Sequence, residues 1–141
     1  MKTTKILVQK SETGLSEDNK AKLKSLEIYK DKKHFKFSNG WVDLSYELGK
    51  NIEEVCKLAN CELPKIEAMY NKYNSLRVDY NFTSPVPKIV ETLIDSLIYV
   101  TEDKSEMICE YCGKSSDVEI TEKNNNYINS CEKCFDIKNR D

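Results

Sequence analysis

The sequence predicts an α+β fold, a small mixed domain followed by a short cysteine-bearing module, and three observations carry that prediction. Lys5–Gln9 and Glu27–Phe37 are β-branched or alternate apolar with polar residues, as strands do. Lys88–Val100 repeats apolar residues at helical spacing, and four of the six cysteines fall into two C-x2-C pairs near the C-terminal end. At 141 residues, with 33% charged and 39% apolar side chains, the composition is that of a packed globular chain rather than a disordered one.

Taken in order, Lys5–Gln9 reads as a strand, and Ser16 reads as the N-cap of a short helix carrying Ala21, Leu23 and Leu26. Glu27–Phe37 reads as a hairpin turning at Asp31-Lys32-Lys33. Trp41, Leu44 and Leu48 then recur at helical spacing up to Gly49, read as a C-cap. Second and third helices fit Ile52–Ala59 and Pro64–Tyr73, with Pro64 near a first helical position. Ser84 and Val86 each precede a proline, so Asn81–Pro87 is extended. Ile89, Val90, Leu93, Ile94, Leu97 and Ile98 form the stripe of a long amphipathic helix, and the charged run Thr101–Glu106 reads as a linker. The expected division is residues 1–101 as a mixed α/β domain and 107–141 as the cysteine module.

No run approaches the 18 or so apolar residues that a membrane span needs, and Ile6, Leu7 and Val8 are too few for a secretory signal. A cytoplasmic location without membrane association is therefore expected, and paired cysteines in a reducing compartment read as metal ligands rather than disulfides. Net charge is −2, but residues 1–50 carry 11 Lys against 7 acids and residues 51–141 carry 11 bases against 17 acids. Indiscriminate binding to nucleic acid is not expected of that balance.

Cys109, Cys112, Cys131 and Cys134 have the spacing C-x2-C-x18-C-x2-C, with Gly113 supplying the backbone freedom that a tight metal-binding turn favours. Four thiolates close a tetrahedral shell around one structural zinc ion and leave no position for an activated water. The competing readings are two chance pairs or a redox C-x-x-C, and the latter sits ordinarily at a strand-to-helix junction of a larger α/β domain and does not come twice at zinc spacing. Cys56 and Cys61, with the single histidine His34, suggest a second metal site, against the plainer reading of two small buried residues.

Cys-Glu-Tyr-Cys-Gly-Lys-Ser-Ser at 109–116 and Ser-Cys-Glu-Lys-Cys-Phe-Asp-Ile at 130–137 resemble the zinc-binding domain of the ClpX unfoldase family, in ligand spacing as well as sequence. The resemblance implies a treble-clef-like finger that dimerises or captures a protein partner through Tyr111, Val118, Ile120, Tyr127, Ile128, Phe135 and Ile137. It covers about thirty residues of this chain. In that family the finger precedes an ATPase, whereas here it is C-terminal and no G-x4-G-K-[S/T] loop occurs, so ATPase activity is not expected.

Val55, Cys56, Ala59, Asn60, Cys61, Ile66 and Met69 resemble the helix-turn-helix pattern of bacterial regulators over about 43–75, with Asn60 where glycine is commonest. The third helix would then offer Lys65, Asn71 and Lys72 to a major groove, against repulsion of phosphate by Glu62 and Glu67. Lys32, Lys33 and Lys36, interleaved with Phe35 and Phe37, could follow a phosphate backbone or form a solvated strand face over core aromatics. With one histidine and no converging carboxylates, no catalytic constellation is legible. The expectation is a non-catalytic, homodimeric DNA-binding regulator with a zinc module; the alternative is an adaptor or inhibitor that docks on another protein.

Overall fold

The computed structural model describes residues 15–31, 35–113, 118–123 and 126–131, the last two segments by their backbone. Helix α1 (Glu17–Lys24) starts where Ser16, in extended conformation, accepts the Asn19 N–H on its hydroxyl. Glu17 and Asp18 in the first turn and Lys22 and Lys24 in the last complement the helix dipole. A 3-10 turn at Glu27–Tyr29 follows, and Tyr29 drops into the core, its hydroxyl donating to the Ser45 carbonyl at 2.7 Å.

The two helices expected on either side of Gly49 are one, α2 (Val42–Ala59). Gly49 does not cap it: a Cβ there would lie 2.6 Å from the Tyr29 ring and 2.8 Å from the Leu26 side chain, so the missing methyl lets the Tyr29 turn pack on the helix. Val42, Ser45, Leu48, Ile52 and Cys56 make the buried face. The helix ends at Asn60, left-handed at φ 56°, with Asn60 N–H bonded to the Lys57 carbonyl and Cys61 N–H to the Cys56 carbonyl, a Schellman motif.

Where a third helix was expected the chain forms β1 (Lys65–Lys72), paired antiparallel with β2 (Ser75–Asn81). Tyr73 and Asn74, at φ 53° and 71°, make a two-residue turn with both centres left-handed, the backbone twist that favours a hairpin. A bulge between Ile66 and Ala68 inserts one residue, so Ile66 and Met69 both face the core although three positions apart. That spacing is also helical, which is why the segment reads as a helix in sequence. The expected Glu27–Phe37 hairpin is likewise replaced, by the Tyr29 turn and one parallel bridge in which Lys36 pairs with Tyr70. Phe35 and Phe37 are buried, with ring centroids 6.0 Å apart. The expected strand at Lys5–Gln9 lies outside the described residues.

Helix α3 (Lys88–Ser105) begins directly after Pro87, as the two Xaa-Pro steps require, and buries Val90, Ile94, Ile98, Thr101 and Ser105 against α2 and β2. Thr101–Ser105, expected as linker, are its last turn and are anchored. Ser105 Oγ accepts the Leu76 N–H at 2.7 Å and Glu102 Oε2 accepts the Val78 N–H at 3.0 Å, so side chains of α3 satisfy donors that a two-stranded ribbon leaves bare. A second antiparallel hairpin, β3 (Val118–Lys123) and β4 (Asn126–Cys131), completes the described α+β chain. Among the described residues no helix is long and apolar enough to cross a membrane.

Candidate metal centre

Three tight turns carry the chain from the end of α3 into Cys109: Glu106 N–H bonds to Asp103, Met107 to Lys104 and Ile108 to Ser105. Cys109 is fully buried and Cys112 is exposed. Gly113, left-handed at φ 81°, donates its N–H to the Cys109 carbonyl at 2.9 Å and folds Cys109–Gly113 into a compact turn. A side chain would strain that conformation, which supplies the physical need for glycine after the second cysteine.

The β3–β4 ribbon then returns the chain, with Val118 opposite Cys131, so that its end carrying Cys131 is also the end joined to the Cys109–Cys112 turn. Cys134 lies outside the described residues, as do Phe135 and Ile137; Tyr127 and Ile128 lie on β4 opposite Glu122 and Thr121, and Val118 and Ile120 lie on β3. Tyr111 is half-buried in the turn. Among the described residues no group of three or more His, Cys, Asp and Glu side chains is gathered, and of the four candidate ligands only Cys109 and Cys112 have side chains in that set. A turn that carries two cysteines, followed by a hairpin whose return strand ends on a third, has the donor type and chain order of a tetrahedral thiolate site.

The turn is keyed into the rest of the fold. Buried Glu110 accepts the Ser38 N–H on Oε2 at 3.1 Å and the Asn71 side-chain amide on Oε1 at 2.6 Å. Its carbonyl accepts the Gly40 N–H at 2.6 Å, and the Trp41 indole N–H donates to the Ile108 carbonyl at 3.0 Å. A Cβ on Gly40 would fall 2.1 Å from the Cys109 carbonyl oxygen and 2.5 Å from that of Glu110, so the two backbones touch only because residue 40 has no side chain. Sequence reading treats Ser38-Asn39-Gly40 as a break and passes over Glu110. A carboxylate between two candidate metal-binding thiols was the available signal, since it needs donors from elsewhere.

The described residues expected to meet nucleic acid lie on β1 or beside it rather than on a helix. The recognition helix is strand β1, so the helix-turn-helix reading is corrected: Val55–Ala59 and Ile66–Met69 belong to a helix and a bulged hairpin. Asn71 is turned to Glu110, Lys65 is exposed with its ammonium 3.8 Å from Glu67, and Lys72 lies 5.6 Å from the exposed Tyr73 ring. Lys36 is held by main-chain bonds to Met69 and Asn71, while Lys32, Lys33 and His34 lie outside the described residues. Cys56 is buried and Cys61 half-exposed, both against the core. Comparison with protein families, with curated proteins and with solved structures returns no match.

Proposed function

We propose that the chain is a non-catalytic adaptor or inhibitor whose cysteine module takes one structural zinc ion through Cys109, Cys112, Cys131 and Cys134 and docks on another protein. The observation that carries this reading is the turn closed by Gly113 and followed by a hairpin that returns Cys131. Four thiolates leave zinc no open position, so its contribution is to the fold of the module rather than to activation of water.

Docking is supported by apolar groups that the fold leaves in solvent on the approach to the module. Ile89, Leu93 and Val100 stand exposed on one side of α3, and Met107, two residues before Cys109, is exposed as well. A second copy of the chain is the first partner to test, in keeping with the self-association that the finger's resemblance implies.

Elemental analysis of purified protein tests the metal, with about one zinc per chain expected and loss of zinc in both Cys131→Ser and Cys134→Ser. Trp41 is the single tryptophan and its indole bonds the residue before Cys109, so chelation should shift its emission. Zinc-free protein, or zinc retained in both serine variants, overturns the metal reading. Sedimentation of wild type beside Leu93→Glu and Val100→Glu tests the docking face, with association lost in the variants.

A further inference from the structure

The Schellman motif that ends α2 places two cysteines where a covalent bond can close. Standard bond lengths either side of the 2.9 Å hydrogen bond from Cys61 N–H to the Cys56 carbonyl would hold the two Cα atoms within about 7.1 Å if every link were straight, and the trigonal angle at the carbonyl carbon brings that limit to about 6.8 Å. Disulfides span Cα separations of roughly 4.4–6.8 Å, and the real path is bent and shorter. In this motif the side chains at these two positions, four residues before the left-handed Asn60 and one after it, commonly meet. Both cysteines pack against the same core cluster.

We propose that Cys56 and Cys61 are a redox-active dithiol that a low-molecular-weight disulfide converts to an intramolecular disulfide, stapling the end of α2 to the segment that leads into β1. This rests on the helix end alone and is independent of the zinc reading. The two thiols differ in the way stepwise exchange needs. Cys61 is half-exposed, whereas Cys56 is buried, and burial first, then the neighbouring Cys61, push the Cys56 thiol up. The Cys61 thiolate attacks one sulfur of the small disulfide, forming a mixed disulfide and expelling one small thiolate. Cys56 then loses its proton and attacks the Cys61 sulfur, the protein disulfide forms, and the second small thiolate leaves. The protein gives up two electrons and two protons, and the small disulfide is reduced to two thiols.

The test treats full-length, zinc-supplemented protein with oxidised glutathione, alkylates the remaining thiols and digests with trypsin. Cleavage after Lys57 separates Asn51–Lys57, which holds Cys56, from Leu58–Lys65, which holds Cys61. The expected product is these two peptides joined and released by reduction, while Cys109 and Cys112 are recovered alkylated in Ser105–Lys114. Cys56→Ser should instead accumulate one glutathione on Cys61 that the wild type sheds. Glutathione persisting on Cys61 in the wild type, or Cys56 and Cys61 both recovered as free thiols under conditions that oxidise Cys109 or Cys112, would overturn the proposal.

Discussion

The Asn71 side-chain amide donates to the Glu110 carboxylate at 2.6 Å, tying the turn between two candidate metal ligands to the inner strand of the β1–β2 hairpin. Ser38 N–H is a second donor on that carboxylate. Glu110→Ala removes this acceptor from both, and a buried donor left without a partner costs about 1–3 kcal/mol. We expect a loss of roughly 2–4 kcal/mol in denaturant unfolding followed by Trp41 emission. Combined with Asn71→Ala in a double-mutant cycle, the pair should show coupling of about 1 kcal/mol or more. Additive losses would show that the contact contributes nothing of its own.

Gly40→Ala should be as damaging although it adds only a methyl group. Its Cβ would overlap main-chain atoms of Cys109 and Glu110, which cannot swing aside as a side-chain tip can. The cost should reach at least about 2 kcal/mol, together with weaker zinc retention. A variant with unchanged urea midpoint and metal content would contradict the close docking of the turn.

Tyr73 occupies a left-handed position at the hairpin turn, where an aromatic residue is disfavoured and asparagine is at ease. Its ring is largely exposed, so little packing is lost on replacement. Tyr73→Asn should therefore stabilise by roughly 0.5–1 kcal/mol, read as a higher thermal midpoint. A lower midpoint would mean that the approach of Lys72 to the ring outweighs the backbone strain.

Glu102 makes stability depend on pH. Burial raises its carboxyl above the ordinary glutamate range, outweighing the Val78 N–H and Arg77, which lower it, and Asp79 adds to the rise. The folded chain therefore holds this proton more tightly than the unfolded one does. Its contribution to stability declines as pH climbs from the ordinary glutamate value through the raised one. Glu102→Gln keeps an acceptor for Val78 N–H and has no such proton. Urea midpoints between about pH 4 and about pH 7 should show wild type losing ground to the variant as pH rises. A constant difference would contradict the shift.

Local chemistry by itself determined several elements. Ser16 caps α1 because a hydroxyl one residue before a helix reaches its free N–H groups. Helix α3 starts after Pro87 because the preceding Xaa-Pro steps forbid helix, and its apolar spacing marked the face it buries. Asn60 is left-handed, as a residue of its type at a helix end permits, although it caps α2 rather than opening a recognition helix. Gly113 closes the Cys109–Cys112 turn for the backbone reason legible in the sequence.

Tertiary structure decided what one-dimensional spacing leaves ambiguous. Ile66 and Met69 are three apart, which suits a helix and equally a bulged strand; pairing with β2 and the neighbouring Lys36 bridge selected the strand. Gly49 looks like a stop until Tyr29, twenty residues earlier, needs its empty space. Thr101–Ser105 look like a linker until the bare N–H groups of β2 call for Ser105 and Glu102. Glu110 acquires its donors from Ser38 and Asn71 only when the chain has folded. Each of these choices depends on a partner distant in sequence, and the free energy that settles it comes from contacts that periodicity within a single segment does not contain.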